Sequence, residues 1–147
     1  MTTRIIRTDE NLQALTALLN ARKRPFTVQV TTGTNRTLEQ NQLAFLWYRE
    51  IAEQMGDRTA TEARAHCKLH HGVKMLVTEN EAFRTAWHAR FLRWEYEAKL
   101  ELMVEPLDLP VTRLMTTKQL TQYLDAIADE FTRQGVVLTQ PEDRRAA

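Results

Sequence analysis

Apolar residues along this chain recur mostly at helical spacing, with a few short stretches that alternate. Leu12, Leu15, Leu18 and Leu19 predict an amphipathic helix over residues 9–21. Thr8, Asp9 and Glu10 give it a cap and an acidic first turn. Arg22-Lys23-Arg24-Pro25 stops it, because proline disfavours helical backbone in the residue before it. On either side of that helix the pattern changes. Arg4-Ile5-Ile6-Arg7 is short and β-branched, and Phe26-Thr27-Val28-Gln29-Val30-Thr31 alternates apolar and polar positions up to Gly33. Both read as strands.

Four capping boxes predict helix starts downstream: Thr37-x-x-Gln40, Thr59-x-x-Glu62, Thr78-x-x-Glu81 and Thr116-x-x-Gln119. The first opens a helix with Ala44, Trp47, Tyr48, Ile51 and Met55 inward, ended by Gly56. The second opens a helix over residues 60–70, after which Val73–Val77 fits a short strand or an extended link. The third opens a helix carrying Phe83, Trp87, Phe91 and Trp94. Residues 96–104 fit either period, and their Glu, Ala, Lys, Leu and Met favour continued helix. The last helix spans about 117–134, with Leu120, Tyr123, Leu124, Ile127 and Phe131 inward and Gly135 just past its end. Val136-Val137-Leu138 reads as a final docked strand. Each of the four glycines, at 33, 56, 72 and 135, falls where an element should end. The expected fold is α+β: one helix-dominated domain over residues 1–140 with a small N-terminal β-sheet, followed by a frayed tail over 141–147.

Composition adds exclusions. With 147 residues, 43% hydrophobic and 27% charged, the chain has the make-up of an ordinary globular domain rather than a disordered one. One cysteine, Cys67, cannot form an internal disulfide, which suits a reducing compartment. No apolar run is long enough for a signal peptide or a spanning helix, so a cytoplasmic protein is expected, with no membrane partner. The formal charge of +1 conceals polarity. Residues 1–36 carry six Lys/Arg against two Asp/Glu, residues 58–74 four against one, and residues 95–108 one against five. Such segregation fits a basic face for an anionic partner, or an ordinary surface once the charges scatter in the fold.

The segment Asn35-Arg36-Thr37-Leu38-Glu39-Gln40-Asn41 combines a basic polar turn with a helix N-terminus, where free N–H groups bind anions. Arg36 adds a bidentate phosphate donor, and Gln40 and Asn41 add amides. Thr37 and Gln40 are equally explained as a cap for each other. Arg36-Thr37-Leu38-Glu39-Gln40-Asn41, followed by a helix bearing Trp47, resembles the phage NinB/Orf recombination proteins, and Met115 to Leu138 is similar to their C-terminal helix and Gly-Val segment. The resemblance implies a single-stranded-DNA-binding recombination mediator without catalytic residues. It implies a homodimer with a basic channel, working beside a host single-strand-binding protein or recombinase.

Other chemistry competes. His66-Cys67-x-x-His70-His71 pairs His66 with His70, and Cys67 with His71, at the i, i+4 spacing of zinc helices, with Glu62 one turn earlier. A buried Cys67 and basic-face histidines explain the same residues. Glu95, Glu97, Glu101, Glu105 and Asp108 could serve a Mg²⁺-dependent nuclease or junction-processing enzyme, or form a solvated helix face. The aromatic helix could belong to an interaction module that never touches DNA. Trp47, Trp87 and Trp94 lie on stripes that suit a core better than base stacking. The expectation is therefore a non-enzymatic binder of single-stranded DNA, without cofactor or metal. Its contacts are expected from Arg36, Gln40, Asn41, Lys23, Arg24 and Arg22, then from Lys68, Lys74, His70 and His71.

Overall fold

The computed structural model describes residues 4–30 and 36–141. The side chains of residues 36–38 lie outside that description, as do Gly33 and the tail beyond Pro141, so the Thr37 cap falls there too. The chain divides into two compact units, Met1–Arg36 and Thr37–Ala147.

The first unit contains α1 (Asp9–Ala21). Its cap closes as a box: the Thr8 hydroxyl accepts from Asn11 N–H at 3.1 Å while Asn11 Oδ1 accepts from Thr8 N–H. The segments on either side, 4–7 and 26–30, are not strands. The expected N-terminal β-sheet is corrected here, and with it the α+β class: among the described residues there is no strand, and the fold is all-α. A period-two pattern becomes a strand only when a partner completes its ladder. Here the alternation buries no face, since Val28 and Val30 stand exposed.

All of α2 (Arg36–Met55) but its first residue belongs to the second unit, where Leu43, Ala44, Trp47, Tyr48 and Ile51 turn into the core. Gly56 takes φ +71, the left-handed conformation that ends a helix at low cost for glycine. Thr59 and Glu62 then close the second capping box, opening α3 (Ala60–Cys67). The chain stays helical well past residue 70. A π-helical turn (Lys68–Val73) leads directly into α4 (Lys74–Glu79), so Val73–Val77 is neither strand nor link. Gly72 does not end an element either. A Cβ there would run into Val111 and touch Met115 and Tyr123, so glycine permits a close approach in mid-helix.

Thr78 is still inside α4, donating its hydroxyl to the Lys74 carbonyl. Asn80 opens α5 (Glu81–Arg90) instead, its Oδ1 accepting from Phe83 N–H at 3.0 Å. The expected continuous helix to residue 104 breaks at 91–95 and resumes as α6 (Tyr96–Leu102). A short 3₁₀ turn (Thr112–Leu114) precedes α7 (Thr117–Arg133), whose capping box and five inward residues are as expected. Gly135 follows at φ +88.

Residues 136–138 alternate like a strand, with Val136 and Leu138 buried and Val137 exposed, yet they lie on a helix. Gln54 both donates to the Val137 carbonyl and accepts from its N–H, each at 2.8 Å. Glu50 accepts from the backbone and hydroxyl of Thr139, and Trp47 Nε1 donates to the Thr139 carbonyl. Side chains of α2 thus take the role of the missing partner strand. No helix among the described residues is long and apolar enough to cross a membrane.

Candidate nucleic-acid interface

The structure separates the expected contact residues into groups with different fates. Arg22, Lys23 and Arg24 belong to the first unit and are exposed just after α1. Arg36 opens α2, with its side chain outside the described residues. Asn41 is half-buried on α2. Gln40 turns inward: its Nε2 donates to Thr121 Oγ1 at 2.6 Å, and its Oε1 is buried without a hydrogen-bond partner among the described residues. It therefore ties α2 to α7 rather than offering an amide to a ligand.

The basic segment 58–74 is largely neutralised inside the fold. Lys68 is buried, with Nζ 2.6 Å from Asp108 Oδ1 and 2.8 Å from the Met103 carbonyl. Arg64 reaches the same carboxylate at 2.9 Å and lies over the Phe45 ring. Arg58 pairs with Asp57 at 2.7 Å. Of the four cations in this segment, Lys74 is the exposed one. The acidic and basic segments meet at Asp108, so sequence charge that resembled a surface patch has become an internal ion-pair network. Burial pushes the Asp108 carboxyl up, but bonds from Lys68 and Arg64 outweigh it and hold the group below the ordinary carboxylate range.

The histidines are internally engaged too. His70 stacks on His66 at 4.2 Å and shares a 2.7 Å hydrogen bond with the Tyr96 hydroxyl. Burial, then the neighbouring His66, pushes His70 below the usual histidine value. His71 and His66 both meet Glu130, at 2.5 and 2.8 Å. Cys67 faces the core, where burial first and Glu130 second push its thiol up. Glu62 is occupied by the Thr59 cap. The acidic residues of 95–108 do not gather: the one group of three or more His, Cys, Asp or Glu placed to share an ion among the described residues is His66, His71 and Glu130.

A different surface joins aromatic rings with positive charge. Phe83, Trp87, Phe91 and Trp94 form a continuous ladder with centroid separations of 6.0, 5.4 and 5.0 Å. Trp87 anchors it in the core, whereas Trp94 is 42% exposed. The ladder crosses the break after α5, where Trp94 N–H donates to the Phe91 carbonyl at 3.0 Å. Tyr96 stands beyond, also exposed and held by His70. Arg90 and Arg93, chain neighbours of Phe91 and Trp94, are exposed. The signal was present in the sequence: residues 82–94 contain Arg84, Arg90 and Arg93 and no Asp or Glu. It is visible only once the helix is known to break, since a continuous α-helix directs Trp94 along the same buried stripe as Trp87.

No protein-family model matches the chain, and no curated protein and no solved structure matches it.

Proposed function

We propose that this chain binds single-stranded nucleic acid at the corner between α5 and α6, with Trp94 and Tyr96 as stacking platforms and Arg90 and Arg93 as phosphate contacts. The observation that carries the reading is the exposed end of the aromatic ladder, on a stretch (82–94) that holds arginines and no carboxylate, although exposed Glu95 and Glu97 flank Tyr96. Every base offers a π-face, so aromatic platforms in a basic setting bind single strands with little regard to sequence. A duplex hides those faces. The ladder adds rigidity, because Trp94 rests on Phe91 and Phe91 on buried Trp87, which limits the ordering cost of binding.

The resemblance over residues 36–47 favours DNA over RNA. It also favours a recombination accessory role, as a homodimer beside a host single-strand-binding protein and without a catalytic step of its own. Arg36 and the exposed Arg22, Lys23 and Arg24 remain further phosphate contacts in this proposal. Gln40 and Lys68 are removed from it by their internal bonds, and His70 and His71 by theirs. The test is fluorescence anisotropy with single- and double-stranded oligonucleotides of one sequence across a salt series. The reading expects tighter binding of the single strand and an affinity that falls steeply with salt. Equal affinity for both forms, or none for either, contradicts it.

A further inference from the structure

We infer that His66, His71 and Glu130 form a binding site for a zinc-class divalent metal ion. The ligand set is two imidazoles and a carboxylate, the donor types that such ions prefer. Their candidate ligand atoms all lie within 4.8 Å of one another, so a modest contraction brings them to the separation of about 3.3 Å between donors around a tetrahedral zinc. Both histidines direct Nε2 at the same carboxylate: His66 is 2.8 Å from Oε2 and His71 is 2.5 Å from Oε1. Two imidazoles are thus gathered on one carboxylate, and side-chain rotations that part these hydrogen bonds would admit an ion between them.

The backbone explains why these histidines meet. In an α-helix, residues five apart point about 140° away from each other. The i, i+4 partner of His66 is His70, which stacks on it and bonds Tyr96 instead. The π-turn over Lys68–Val73 widens the helix and swings His71 round to the side of His66. π-Bulges recur at functional sites, and here the bulge delivers a specific donor pair. The third donor comes from the last turns of α7, where Gln134 Nε2 reaches Glu130 Oε2 at 3.4 Å and helps orient it.

The side chains are 24%, 19% and 25% exposed, sheltered but open enough for an ion to enter. Three protein donors leave a fourth position for water. A bound ion would cross-link the π-turn to α7. This departs from the sequence reading, which expected no metal and paired His66 with His70. The i, i+4 rule selects the wrong partner when the helix between is not α-helical.

The test uses the full-length protein, stripped with a chelator and titrated with Co²⁺ and then Zn²⁺. The site predicts uptake of one Co²⁺ per chain, a visible absorption band of a four-coordinate cobalt centre, loss of that band on adding Zn²⁺, and a higher melting temperature with Zn²⁺ bound. Glu130→Gln and His71→Ala should each weaken binding by about tenfold or more, while His88→Gln, on the exposed side of α5, should bind as wild type. Circular dichroism checks that each variant is folded, and Glu130→Gln preserves shape if His71→Ala does not fold. No cobalt band, or undiminished affinity in folded Glu130→Gln, would overturn the site.

Discussion

The hydroxyl of Tyr48 lies 2.7 Å from that of Tyr123, and both are sealed in the core between α2 and α7. Each phenol is the other's partner, and burial pushes both well above the ordinary tyrosine value. Removing one hydroxyl strands the other, which costs about 1–3 kcal/mol. Tyr48→Phe and Tyr123→Phe should each lower stability by about that much in urea denaturation. The double variant should be less destabilised than the sum, because no polar atom is left alone.

Asp108 supports a second prediction. It sits at φ +43, a conformation that Asp tolerates better than most residues, and pairs with buried Lys68 and half-buried Arg64 at once. Asp108→Asn leaves an uncompensated charge in the core and should destabilise by about 3–5 kcal/mol at neutral pH. Lys68→Met should cost less. Because folding lowers the Asp108 pKa, its contribution is present above the ordinary carboxylate value of about 4 and is lost as pH falls through the lowered one. Melting curves of wild type and Asp108→Asn should therefore converge toward acid pH. A gap that stays constant would contradict the network.

Gly72 tests the packing of the π-turn. Its φ is ordinary, so alanine suits the backbone, but the added methyl meets Val111. Gly72→Ala should destabilise by about 1–3 kcal/mol through overpacking. Val111→Ala in the same chain should restore part of the loss. A neutral Gly72→Ala would mean that the turn and Val111 can separate freely.

These sites also mark what was legible in the sequence. The capped helices were legible almost to the residue: α1 in its bounds and cap, though its leucine face buries no residue, α3 at its start, and α7 with all five core positions. Local rules sufficed there because local and tertiary preferences agree. The N-terminal sheet failed because alternation describes a segment's own two faces and says nothing of a partner. Residues 136–138 show the same limit, since their alternation is satisfied by Gln54 and Glu50 of a helix. The charged patch failed differently. Arg64 and Lys68 are distant in sequence from Asp108, and only the fold makes them a network. The metal cluster needed both a π-turn, which no short motif announces, and Glu130, which lies 59 residues beyond His71.

Trp94 stands exposed at the end of the aromatic ladder, and the proposed binding of single strands depends on it most. Its most direct test is anisotropy of a fluorescent single-stranded oligonucleotide at fixed salt, with wild type and Trp94→Ala. Base stacking on one aromatic is worth about 1–3 kcal/mol, so the variant should bind roughly 5- to 150-fold more weakly with its fold intact. Arg90→Gln with Arg93→Gln should also weaken binding and flatten its salt dependence. Unchanged affinity in folded Trp94→Ala would contradict the account.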